Sequence, residues 1–95
     1  MIHIRANVKI ADFAQFIGVF STRGAALRRQ HGSKRAHLFR VSGSENEIVI
    51  HFEWESREGF ERFLSDPVVK ETMKSAGFLA PPAVTYLEHV GDFPS

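Results

Sequence analysis

Two stretches of this 95-residue chain alternate apolar and polar side chains with a period of two. In the first, Ile2, Ile4, Ala6, Val8 and Ile10 share one phase while His3, Arg5, Asn7 and Lys9 share the other. In the second, Ile48, Ile50, Phe52 and Trp54 stand opposite Val49, His51, Glu53 and Glu55. Successive side chains of a strand point to opposite faces, so each stretch predicts a strand with one apolar and one polar face. Such strands belong in a sheet that is covered on one side. The first ten residues therefore read as a strand and not as a basic region followed by an apolar leader. No stretch approaches the ~20 apolar residues of a membrane span, so the expected location is cytoplasmic, with no membrane partner.

Between the strands the period changes. Asp12 precedes Phe13, Phe16, Ile17 and Phe20, with Leu27 continuing the stripe, which predicts a helix capped by Asp12 and stopped at Gly32. A break near Ser21 and Thr22 fits the weak helix formers Gly18 and Gly24 around it, and Arg28, Arg29 and His31 place cations in the last turn. Residues 36–41 and 47–55 form two extended runs around the turn-rich Ser42-Gly43-Ser44-Glu45-Asn46. Ser56 caps a second helix that carries Phe60, Phe63 and Leu64 inward. Pro67 divides this helix, because proline is tolerated in a first turn and not in a helix interior. After Gly77 and Pro81-Pro82, residues 83–90 predict a last strand. The order is β-α-β-β-α-β, an α+β, ferredoxin-like arrangement with an antiparallel sheet in the order 4-1-3-2 and the helices on one face.

A chain of this length with 43% hydrophobic residues fills one core, so residues 1–95 are expected to form a single domain. It has no cysteine, which excludes thiol nucleophiles, iron–sulfur clusters and Cys-bound zinc. The net charge of +1 hides an asymmetry: residues 13–44 hold six Arg and Lys and no acid, whereas residues 45–75 are rich in Glu. The basic half suits a solvated or subunit-pairing face, an anionic ligand or nucleic acid. No basic, aromatic RNA-binding run lies on the third strand, so no nucleic-acid partner is expected. The five His show no metal-ligand spacing on any one element, and no metal is expected.

The pattern of Arg28, Gly32 and Leu38-Phe39-Arg40, then Phe52-Glu53-Trp54-Glu55-Ser56, Phe60, Phe63-Leu64, Asp66-Pro67, Met73, Ala76-Gly77, Pro82 and Tyr86-Leu87-Glu88 resembles the dimeric α+β barrel superfamily. It is most similar to the small proteins related to antibiotic-biosynthesis monooxygenases. The resemblance implies a homodimer and, as enzyme function, a cofactor-independent monooxygenase-like or cyclase-like activity on a small aromatic or polyketide-type compound. The alternative is a non-catalytic dimer that binds a hydrophobic ligand or a partner. Heme-degrading members of the superfamily carry a Trp where this chain has Phe63 and a ligating His where it has Met73. They also carry an Asn in the strand phase occupied by Ala6. No heme is expected, and without a Gly-x-Gly-x-x-Gly loop no nucleotide cofactor is expected either.

Two groups of candidate site residues follow. On the polar faces of neighbouring strands, His51 with Glu53 and Arg5 is the candidate catalytic set, His51 as general base, with His3 and Asn7 beside it as candidate ligand-binding residues. The same residues also read as a hydrogen-bonded dimer core in which Arg5 pairs with Glu53. On the apolar side, Phe16, Phe20, Phe63, Trp54 and Tyr86 are candidate ligand-binding residues, the indole N–H and the phenol orienting a substrate oxygen. Core packing is the competing reading for these aromatics.

Overall fold

The computed structural model covers residues 1–95 and contains β1 (Ile2–Lys9), α1 (Phe13–Phe20), α2 (Arg23–Gln30), β2 (Ser33–Arg40), β3 (Glu47–Trp54), α3 (Arg57–Ser65), α4 (Pro67–Ser75) and β4 (Ala83–Leu87). The four strands form one antiparallel sheet in the order β2-β3-β1-β4, which is the expected 4-1-3-2 read from the other edge. One face packs on the helices and the other is open.

The helices start where side chains replace missing backbone partners. Asp12 accepts from the Gln15 N–H at 2.8 Å, Ser56 from Gly59 at 3.1 Å and Asp66 from Val68 at 2.9 Å. Each expected helix is two pieces. The first breaks after Phe20, where the Ser21 and Thr22 hydroxyls donate to the carbonyls of Ile17 and Gly18 and so satisfy the end of α1. The second breaks at Asp66, which leads directly into Pro67 at the first position of α4.

Two strands differ from their expected limits. The second begins at Ser33, three residues early, because the left-handed Gly32 (φ 103°) turns the chain straight into pairing with Trp54. The last stops at Leu87 because its neighbour gives out there: Leu87 faces His3, one residue from the start of β1.

The core is the apolar phase of the two alternating strands, Ile4, Ala6, Val8, Ile48, Ile50, Phe52 and Trp54, packed under Phe16, Phe60, Phe63, Val69 and Ala76. Trp54 is fully buried, and its indole meets Phe52, Phe60 and Phe63 at centroid distances of 5.4, 5.0 and 5.0 Å. A buried indole N–H must be paired, and Trp54 Nε1 donates to the His31 carbonyl at 2.9 Å. Gly59 makes this approach possible, since a Cβ there would lie 2.7 Å from that carbonyl oxygen.

Gly59→Ala should therefore destabilise the fold by about 1–3 kcal/mol through overpacking. Gly18→Ala, exposed in α1 with open space around it, should stabilise by about 0.5–1 kcal/mol through helix propensity. Urea midpoints of the two variants moving in opposite directions would meet this expectation; a midpoint for Gly59→Ala equal to wild type would contradict it.

Candidate functional site

The helix side of the sheet holds a cleft. Its floor is Ala6 and Val8 of β1 with Ile50 and Phe52 of β3, and its inner walls include Phe16, Phe60 and Phe63. All of these are buried. The mouth is made of half-buried groups, among them Phe20, Leu27, Arg28, Met73 and Phe78. The free space inside is about 50 Å³. That is less than the ~150 Å³ of a cavity that takes up benzene, so entry of a ring would require mouth side chains to turn aside.

Of the aromatic candidates, Phe16, Phe20 and Phe63 line the cleft. Trp54 and Tyr86 do not. The indole N–H of Trp54 is already spent on the His31 carbonyl, which removes the substrate-orienting role expected for it. Tyr86 packs edge-on against Phe60 at 6.2 Å and under the Arg57 guanidinium at 4.0 Å, outside the cleft walls.

Arg28 was legible in the sequence only as a helix-end cation, yet it lies on the cleft wall. Its Nη1 donates to the Phe20 carbonyl at 3.0 Å, and its guanidinium carbon lies 3.8 Å from the centroid of the Phe20 ring. Burial pulls this guanidinium down to about 10, with the neighbouring charge of Arg29 acting in the same direction. It remains cationic at neutral pH. The signal for this role was its spacing of eight from Phe20 with Gly24 midway, but the break at Ser21-Thr22 hides that phase.

The polar candidates share the open face. The register sets Arg5 opposite His51 and His3 opposite Glu53, while His37 and Arg35 of β2 face His51 and Glu53. His3 Nδ1 and His51 Nε2 are 3.1 Å apart, which requires one ring to donate and the other to accept. The rings of His37, His51, His3 and His89 follow one another at 5.6, 5.3 and 5.5 Å, a row of four imidazoles across the sheet. His37 and His89 were not expected in it. The expected Arg5–Glu53 pair is replaced: Glu53 Oε2 lies 3.8 Å from both Arg35 and His37, because β2 brings these side chains to it in register. Asn7 lines a groove of about 460 Å³ with Val41, Val49 and Ala83 at one end of this face. No set of three or more His, Asp or Glu is grouped to hold a metal ion.

Cleft and open face lie on opposite sides of one sheet. His51, Glu53 and Arg5 consequently do not reach a ligand in the cleft, and no imidazole, carboxylate or amine lines it.

Residues 1–75 match the sequence pattern of the antibiotic biosynthesis monooxygenase family. The chain belongs to that family. SnoaB, a cofactor-independent oxygenase from Streptomyces nogalater, has a similar structure, with 20% identity, a TM-score of 0.76 and coverage of 99% of this chain and 97% of SnoaB. A family protein from Bordetella bronchiseptica aligns with a TM-score of 0.75 at 19% identity over 94% of this chain and 96% of its own. One from Caulobacter crescentus aligns at 0.73 and 20% identity over 95% and 90%. At these identities the likeness is one of fold. No curated protein matches the sequence at a significant level. No helix is long and apolar enough to cross a membrane.

One hydrogen-bonded contact braces the helix layer above the cleft in this family member. His31 Nε2 lies 2.9 Å from Asp66 Oδ2, joining the end of α2 to the start of α4. The His31 hydrogen bond, helped by the Val68 N–H, holds the Asp66 carboxyl below the usual carboxylate range. A depressed folded-state pKa gives a contribution fully present above the ordinary value of about 3.9 and lost as pH falls through the lower folded value. Asp66→Asn should lower the urea midpoint at neutral pH, with the gap to wild type closing on acidification below that range. A gap independent of pH would contradict a role for the ionised Asp66 carboxylate.

Proposed function

We propose that this chain is a cofactor-independent monooxygenase-like or cyclase-like protein that takes a small aromatic or polyketide-type compound into the cleft between helices and sheet. The observation that carries this reading is the aromatic lining of the cleft, with Phe16, Phe20, Phe52, Phe60 and Phe63 converging on space that the core leaves unfilled. Packed interiors of small domains leave few voids, so an unfilled apolar cleft with a half-buried mouth suits a ligand of flat apolar shape. Family membership and the fold shared with SnoaB support it.

In such chemistry the substrate supplies the electrons. An ionised substrate methylene reacts with dioxygen, one oxygen atom becoming a new carbonyl and the other leaving as water, so that CH2 and O2 balance C=O and H2O. The protein's part is to orient the ring and exclude bulk water. The absence of a protein base from the cleft wall favours a second reading, a dimer that binds such a ligand without chemistry.

The open face serves the dimer in both readings. Its polar row includes His3, Arg5, His51 and Glu53, and Phe39 lies on it 58% exposed with Leu87 at its other edge. Sheet-to-sheet pairing would cover these and satisfy a sheet that has helices on one side only. Sedimentation at micromolar concentration should give twice the monomer mass, and Phe39→Asp should shift it toward monomer. A monomeric wild type would contradict the dimer.

Oxygen-electrode measurements with a polycyclic anthrone test the enzymatic reading. Uptake above the autoxidation rate is expected. Saturable anthrone binding without uptake would establish the non-catalytic reading, and neither binding nor uptake would overturn both.

A further inference from the structure

The cleft carries one charge, and nothing in the protein neutralises it. Arg28 has no carboxylate within ion-pair distance, while Arg35, Arg57 and Lys74 each have one. Of the five N–H donors of a guanidinium, one is engaged, by the Phe20 carbonyl at the end of α1. The sequence also keeps space for the group. A Cβ on Gly24 would stand 3.2 Å from Arg28 Nη1 and 3.1 Å from the Val19 carbonyl, so glycine leaves the room in which the guanidinium lies. The rest of the lining is apolar apart from Thr72.

We propose that the cleft selects aromatic ligands that arrive already ionised, carrying a carboxylate, phenolate or enolate oxygen, and pairs that oxygen with Arg28. This deepens the reading of the cleft as the ligand site and rests on it. With no protein base on the wall, a ligand is not deprotonated by a side chain after entry, so the ionised form must be acquired in water. An anion entering apolar surroundings is costly unless it is paired, and a guanidinium pairs planar oxyanions through two parallel N–H bonds. A neutral ring of the same shape gains the burial without the pairing. Arg28 is thus a specificity-determining residue as well as a cap for α1.

Titration of the wild-type chain with 2-naphthoate and with its neutral counterpart 2-naphthamide tests this directly. The naphthoate should bind about tenfold tighter or more, equivalent to about 1.4 kcal/mol. It should also shift the NMR signals of the Arg28 side-chain N–H and the Gly24 amide. Arg28→Met, with its fold checked by thermal unfolding, should bring the two affinities together. Arg28→Lys should keep a weaker preference for the anion, and it serves as the comparison if the methionine variant does not fold. Equal affinities in the wild type would overturn the inference and leave the cleft reading standing. Binding of neither compound would overturn the cleft reading itself. A preference that survives in folded Arg28→Met, or naphthoate shifts confined to the open sheet face, would remove Arg28 from the role.

Discussion

The hydrogen bond from the Trp54 indole to the His31 carbonyl ties together elements that the chain order keeps apart. Trp54 ends β3, and His31 caps α2, so one contact fixes the end of a central strand against the first helical pair. The His31 imidazole extends that contact to α4 through Asp66 and packs edge-on against Phe63 of α3 at 5.9 Å. Gly59 admits the carbonyl, and the Glu55 N–H reaches the neighbouring Gly32 carbonyl at 2.9 Å. A buried indole with its N–H unpaired would be costly, so this cluster has one satisfactory geometry. The position of α2, and with it the mouth of the cleft, follows from that geometry.

The sheet separates two chemistries. On its covered face the apolar phase of β1 and β3 forms the cleft floor, and on its open face the alternate residues form the imidazole row. Period-two alternation makes this division sharp, because no side chain of a regular strand serves both faces. For the same reason the candidate base His51 and its neighbour Phe52 of the cleft floor, one position apart in sequence, act on different volumes of space.

Much of this was legible in the sequence. The alternation of Ile48, Ile50, Phe52 and Trp54 assigned the buried face of β3 without further information, and the caps Asp12 and Ser56 together with Pro67 marked three helix starts. Less legible were properties that depend on register and on the angle between short helices. The strand order made β1 and β3 neighbours, which suggested an Arg5–Glu53 pair, but the hairpin register delivered Arg35 and His37 to Glu53 instead. Trp54 was expected to bind ligand, with core packing as the competing reading; it is buried, and the fate of its N–H depended on a carbonyl 23 residues away. Arg28 carried a local explanation, the helix dipole, that concealed its tertiary one.

The two broken helices bear on how such a scaffold diversifies. Each half is eight or nine residues long, about 12–14 Å at the usual rise, and the joints at Ser21-Thr22 and Asp66-Pro67 satisfy their own backbone locally. The layer over the sheet is therefore a set of four short rods with one joint inside each pair. α2 has no fully buried residue, so sequence drift along it is cheap for the core while it resets the shape and charge of the cleft entrance. Substitutions in this single rod therefore remodel one wall of the cleft while the strand ladder beneath is left unchanged.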